Sequence, residues 1–283
     1  LDEPAVATHL LDAVAQAIDE LDIDGFRLDV AYLLPRPFLA GLRRRVEQSK
    51  PGALLLGEVI HGDYESYLSP DLLDSVTNYQ AYKGLWSSHN DRNYFEIAHT
   101  LERFFGGSGS QDPAQGDATG GTTPEPSLFE MYNFVDNHDV DRVVSQLADP
   151  GHLFPIHTLL FTMPGVPSVY YGSEWGQPGR KSDGDHQLRP PIGDVDRSNE
   201  ALHEFIRQLI SVRNGTPALR YGDYQPILVT NTQLGFLRST AGQRVLTLVN
   251  SDGEPASVEG LPKPVLRQGR CLFHGDLGSR VHR

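Results

Sequence analysis

Three acidic residues stand where short apolar runs give out: Asp29 after Ile23-Asp24-Gly25-Phe26-Arg27-Leu28, Glu58 after Ala53-Leu54-Leu55-Leu56-Gly57, and Asp139 in Asp136-Asn137-His138-Asp139. An acid at the C-terminal end of a buried strand faces the side on which parallel α/β enzymes keep their sites. Two carboxyl groups brought together there can cleave an acetal. One protonates the leaving oxygen and the other attacks or stabilises the cation-like carbon; in retaining enzymes the two lie roughly 5–5.5 Å apart. Arg27 sits two residues before Asp29, so on a strand both point to one side. A charged pair on one face of an apolar strand is costly unless the charges meet. Taken singly, each acid also reads as a cap, a turn former or half of an ion pair. The ordered trio suggests a site built from strand ends.

The elements that must position these acids follow from periodicity. Residues 2–21 and 36–49 carry helical spacing, Asp2 being a cap for the first helix and Pro4 fitting its first turn. Between and after them, residues 23–29 and 53–58 read as strands, the second a continuous apolar run of the kind buried on both faces. A weaker strand at 73–78, a helix at 94–105, a strand at 131–136, a helix at 153–163, a strand at 166–171 and a helix at 198–213 continue the pattern. This alternation predicts an α/β fold with parallel strands. Residues 106–126, rich in Gly, Pro, Ser and Thr, read as a flexible loop. Beyond residue 217 short strand runs follow at 227–229, 235–238, 245–249 and 271–273, which predicts a small all-β module. Arg43-Arg44-Arg45 reads as a solvated helix face, residues 89–92 as a solvated loop with a place along the cleft as the alternative, and Arg142 as a structural ion-pair partner. Tyr32, Tyr64, Tyr82, Trp86 and Trp175 read as packing aromatics, with sugar-ring stacking as the sharper alternative.

The chain has 283 residues, 39% of them hydrophobic, enough for a sizeable core. A formal net charge of −13 argues against nucleic acid and anionic membrane as partners, and suits a neutral or cationic ligand. The single cysteine, Cys271, excludes an internal disulfide. No run of about 18 apolar residues predicts a membrane span. No Gly-rich phosphate loop leads into a helix, which disfavours a phosphate-binding α/β barrel. The N-terminus, Leu1-Asp2-Glu3-Pro4, lacks a signal-peptide pattern, and cytoplasmic and secreted locations both stay open.

Four stretches carry a family resemblance. Gly25-Phe26-Arg27-Leu28-Asp29 resembles the nucleophile motif of the α-amylase family of glycoside hydrolases (family 13), and Gly57-Glu58-Val59 its acid/base motif. Phe134-Val135-Asp136-Asn137-His138-Asp139 is similar to its third acidic motif, and Gly165-Val166-Pro167-Ser168-Val169-Tyr170-Tyr171-Gly172-Ser173-Glu174 to its last barrel strand and loop. All four occur in family order, and the likeness extends through the β module.

The resemblance implies a (β/α)8 barrel of which only strands about four to eight lie in this chain, in residues 1–217, followed by a C-terminal β-sandwich domain in residues 218–283. It implies a retaining hydrolase of α-1,4-glucosidic bonds in starch-type glucans or maltodextrins, with Asp29 as nucleophile, Glu58 as general acid and then base, and Asp139 binding sugar hydroxyls. Arg27, His138, Asn137 and Tyr32 would contact the substrate or aim the acids. Alternatives are a transglycosylase or α-glucosidase of the same family, or a non-catalytic amylase-like binding subunit. No metal ligands or cofactor are identified. Many family members carry Lys-His where this chain has Tyr32 and Leu33, so any calcium ion would depend on an N-terminal portion. The expected partners are an α-glucan or maltooligosaccharide and a polypeptide supplying the N-terminal half of the barrel.

Overall fold

The computed structural model describes Leu1, residues 3–106 and residues 131–256. The expected cap Asp2, the loop from residue 107 onward and the strand at 271–273 lie outside the described residues. The chain divides into two compact units. Among the described residues the first comprises Leu1–Tyr79 with Met131 and Tyr132, and the second the remainder.

In the first unit, helix α1 spans Pro4–Leu21, with proline in its first turn, and ends where Asp22 turns into the left-handed region and its N–H closes onto the Ile18 carbonyl. Strand β1 follows at Gly25–Leu28, helix α2 at Arg36–Ser49, β2 at Leu54–Gly57 and β3 at Ser75–Val76. The three strands form a parallel sheet in the order β1-β2-β3, with Gly25 opposite Leu54, Leu28 opposite Gly57, and Leu56 opposite Ser75. Ala15 and Ile18 of α1, Leu39, Leu42 and Val46 of α2, and Leu55 and Val76 of the sheet are buried. Gly25 has a steric reason: a Cβ there would sit 2.3 Å from the Leu54 carbonyl oxygen. Arg43 corrects the expectation of a solvated arginine face. It is buried, its guanidinium donating to the Leu72 and Ala53 carbonyls and pairing with Asp74. The helix thereby uses one of its four arginines to satisfy carbonyls at the sheet margin.

The second unit takes up most of helix α3 (Tyr79–Asn90), then α4 (Phe95–Phe105). The chain resumes through β4 (Tyr132–Asn133), α5 (Val143–Gln146), α6 (Leu153–Thr162), β5 (Val166–Pro167) and α7 (Asp185–Leu188). Helices α8 (Glu200–Asn214) and α9 (Pro217–Tyr221) precede β6 (Asp223–Val229), β7 (Gln233–Ser239) and β8 (Arg244–Asn250). These last three form an antiparallel sheet in sequence order, with a bulge between Pro226 and Leu228. Leu159 and Leu160 of α6, Leu202, Ile206 and Leu209 of α8, and Leu234 and Phe236 of β7 are buried.

Two buried arginines fasten the sheet and α8 to the end of α6. Arg213 donates to the carbonyls of Phe161 and Met163 at 2.8 and 3.2 Å, and Arg238 to that of Thr162 at 2.8 Å and Gly222 at 2.9 Å. They satisfy carbonyls that a helix C-terminus leaves without intrahelical partners. Short α9 is absent from the expectation, and so is α3, whose Tyr, Gly and Ser residues are weak helix formers. The strands expected at 73–78, 131–136 and 166–171 contract to two residues each. Pro167 has no N–H to donate, and the Asp136 side chain accepts the N–H of Val143 at the start of α5.

Candidate active site

In the first unit Arg27, Asp29 and Glu58 come together. The pairing of Leu28 with Gly57 sets the chain leaving β1 beside the chain leaving β2, so Asp29 and Glu58 follow the ends of neighbouring parallel strands. Gly57 matters to that approach, because a Cβ would lie 2.4 Å from Leu73 Cδ1 and 3.1 Å from the Ala31 methyl. Arg27 Nη1 donates to Asp29 Oδ1, and Arg27 Nη2 lies 3.2 Å from Glu58 Oε1. One guanidinium thus grips both carboxylates, a fork geometry that lysine cannot reproduce. Glu58 is 4% exposed. Its Oε2 accepts the Val30 N–H at 2.8 Å, and its Oε1 accepts the Tyr79 hydroxyl at 3.4 Å. The Asp29 side chain is 75% exposed. The result is one carboxyl group sheltered among donors and another open to solvent, bridged by a cation. Tyr32 lies in the turn after Asp29, half-exposed, its carbonyl accepting the Tyr67 hydroxyl at 3.4 Å.

In the second unit Asn137, His138 and Asp139 form their own cluster. Asn137 Oδ1 accepts the Asp139 N–H at 2.8 Å, a local side-chain turn of the expected kind. His138 Nε2 is 3.0 Å from Asp139 Oδ2, and Arg189 Nη2 is 2.9 Å from Oδ1. Arg189 Nε also donates to the His138 carbonyl at 3.1 Å, and Lys181 Nζ to the Asp139 carbonyl at 2.9 Å. Behind them Asp136 is buried. Its Oδ1 accepts the Ser173 hydroxyl at 2.6 Å and its Oδ2 the Val143 N–H at 2.9 Å. Burial raises its pKa; the Ser173 and Val143 bonds and the charge of Arg142 oppose that rise. Arg142 is fully buried, stacked 4.3 Å from the Tyr170 ring centroid, and donates to the Tyr171 carbonyl and Ser173 hydroxyl.

Arg189, Lys181 and Tyr79 are contacts that motif reading missed. Lys181 and Arg189 come from segments with no strand pattern, Arg189 fifty residues from the acid it pairs with, and Tyr79 opens a helix that the sequence did not announce. The aromatic expectation resolves toward packing for three residues. Tyr64 is buried, Tyr82 stacks on Phe134 at 5.2 Å, and Trp175 lies flat on His203 at 4.1 Å. The expected loop at 89–92 is corrected at its start. His89 and Asn90 form the last turn of α3, His89 is buried, and the Asn90 amide holds the Gln146 carbonyl and the Ala148 N–H. Among the described residues no group of three or more His, Cys, Asp or Glu could hold a metal ion.

Residues 1–190 match the family described as "Alpha amylase, catalytic domain". A cyclomaltodextrinase of Geobacillus thermopakistaniensis is 28% identical over 98% of this chain and 44% of its own length. Neopullulanase 2 of Thermoactinomyces vulgaris is 30% identical over 91% of this chain and 42% of its own length. The chain therefore spans less than half the length of these curated relatives. Among solved structures, the cyclic α-maltosyl-(1→6)-maltose hydrolase from Arthrobacter globiformis aligns with a TM-score of 0.72 at 26% identity, over 88% of this chain and 53% of that one. An Anoxybacillus α-amylase aligns with a TM-score of 0.74 at 25% identity, over 88% and 52%. The matched span runs from α1 to the loop of Arg189 and takes in Asp29, Glu58 and Asp139, and on that match the chain belongs to the α-amylase family of glycoside hydrolases.

Proposed function

We propose that this chain carries the catalytic acids of a retaining hydrolase of α-1,4-glucosidic bonds in maltodextrins or starch-type glucans. The observation that carries the reading is the Arg27 bridge between Asp29 and Glu58 at adjacent strand ends. Two carboxylates held by the two arms of one guanidinium suit the short separation, roughly 5–5.5 Å, of double displacement. Asp29, the exposed carboxylate, attacks the anomeric carbon while Glu58 protonates the departing glycosidic oxygen. Glu58 then takes a proton from water, which attacks the same carbon and releases Asp29. Asp139 binds sugar hydroxyls, aided by His138 and Asn137, and Tyr32, in the turn after Asp29, contacts the substrate. The relatives named cyclomaltodextrinase and neopullulanase support maltodextrin as the substrate class.

We read β1, β2 and β3 as strands four to six of a (β/α)8 barrel, β4 and β5 as the seventh and eighth, and residues 218–283 as a C-terminal β-sandwich domain. On this reading a further polypeptide segment supplies the first barrel strands. A second reading, transglycosylation, is favoured by a relative named cyclomaltodextrin glucanotransferase from Geobacillus stearothermophilus, 27% identical over 91% of this chain.

The test is product analysis on maltoheptaose with the full-length protein and its Asp29→Asn and Glu58→Gln variants. Shorter maltooligosaccharides of α configuration are expected from the wild type. Glu58→Gln is expected to lose about 10²- to 10⁴-fold in kcat/KM. Undiminished hydrolysis by Asp29→Asn would sink the assignment, and products longer than the substrate would favour transfer.

A further inference from the structure

Val30, the residue after the proposed nucleophile, has φ 41° and ψ 44°. A β-branched residue in the left-handed region is a steric outlier, and such strain persists only where the surroundings over-determine it. Asp22 and Arg92 are the other non-glycine residues with positive φ among those described, and neither is β-branched. The turn at Val30 ends β1 abruptly. It sends Ala31 into full burial, where its methyl sits against Gly57, while the peptide joining Asp29 to Val30 stays at the strand end. The N–H of that peptide is donated to Glu58 Oε2 at 2.8 Å. The other oxygen of Glu58 is held by Arg27 and Tyr79.

We propose that Val30 is a positioning residue whose main-chain N–H, fixed by its strained left-handed turn, sets the orientation of the Glu58 carboxyl group relative to Asp29. The link is short. Only the Asp29 carbonyl carbon and the peptide nitrogen separate the Asp29 Cα from the hydrogen that Glu58 accepts. The spacing of the two acids is therefore set through one peptide unit as well as through the Arg27 side chain, and catalytic groups lose rate steeply when displaced by about an ångström. The inference rests on the acid/base reading of Glu58.

The test replaces Val30 by 2-hydroxyisovaleric acid in the full-length protein. This amide-to-ester change keeps the side chain and removes the donor. Activity is read on maltotriose, whose leaving group needs a proton, and on α-maltosyl fluoride, whose leaving group needs little help. The ester is expected to lose about 10- to 100-fold in kcat/KM on maltotriose and less than about 3-fold on the fluoride. An equal loss on both substrates, or no loss on either, overturns the proposal. Glu58→Gln run in parallel separates the two failures. If that variant also lacks the leaving-group dependence, the reading of Glu58 fails; if it shows the dependence and the ester does not, only the role of Val30 fails. A second measurement does not depend on the ester folding. In protein labelled with ¹⁵N-valine, the Val30 amide proton is expected to move upfield on Glu58→Ala, and an unmoved resonance overturns the proposal.

Discussion

At the scale of single residues, the proposed chemistry turns on Arg27. Its two terminal nitrogens serve two carboxylates, one buried and one exposed. Lysine keeps the charge but offers a point instead of a fork. Arg27→Lys is therefore expected to lower kcat/KM about 100-fold with little change in melting temperature, since loss of geometry rather than charge is the injury. Steady-state kinetics beside a thermal melt checks it. Arg189 is a different case. Its pairing with Asp139 is between groups 44% and 34% exposed, which screens it. Arg189→Ala is expected to leave stability within about 1 kcal/mol and, on the proposed role of Asp139 in binding sugar, to change KM more than kcat, because it frees Asp139 Oδ1.

At the scale of elements, the close approach of β1 and β2 decides whether Asp29 and Glu58 can meet. Gly25→Ala would put a Cβ against a backbone oxygen that cannot swing aside. It is expected to destabilise by about 1–3 kcal/mol, measured by urea unfolding, and to lower activity by shifting the strand ends. Much of this layer was legible in the sequence. The helices α1, α2, α4, α6 and α8 announced themselves through apolar spacing, and Leu54-Leu55-Leu56 through a run suited to burial on both faces. What was not legible has physical causes. Helix α3 is built from residues of weak propensity and is held by its buried face, including Tyr82, Leu85 and His89. Arg43 looked like its neighbours Arg44 and Arg45, and only the pairing of β2 with β3 shows that sheet-margin carbonyls await it. At the candidate site, the meeting of Arg27 with Asp29 was readable from a local motif. Arg189, Lys181 and the Val30 N–H were not, because long-range return of the chain and a backbone angle leave no mark in residue type.

At the scale of the whole molecule, two deeply buried histidines make stability depend on pH. His89 and His157 are both depressed to about 4, burial first among the causes, partly offset by bonds to the Leu85 and Leu153 carbonyls. An unfolded histidine titrates near 6.5. Between those values the unfolded chain binds more protons than the native one, so stability falls as pH drops from about 6.5 to about 4 and levels off below. The loss is up to about 3 kcal/mol per histidine. Urea unfolding at pH 7, 5.5 and 4 should show it, and His157→Leu should flatten the decline. A decline unchanged in that variant would assign the acid sensitivity to other groups.

The buried guanidinium groups of Arg213 and Arg238 have a consequence for anyone shortening or re-engineering this polypeptide. A stop codon placed after Tyr221, where the helices give way to strands, looks like a natural cut in a gene. It would delete Arg238 and take from the Thr162 carbonyl, at the end of α6, the guanidinium that donates to it. The turn joining β7 to β8 is the gentler place for an insertion or a fused tag, because Ala241 and Gly242 are exposed there and a side chain added at Gly242 would meet nothing. Shortened versions of this chain should therefore keep all three strands of the sheet and be lengthened at the β7–β8 hairpin.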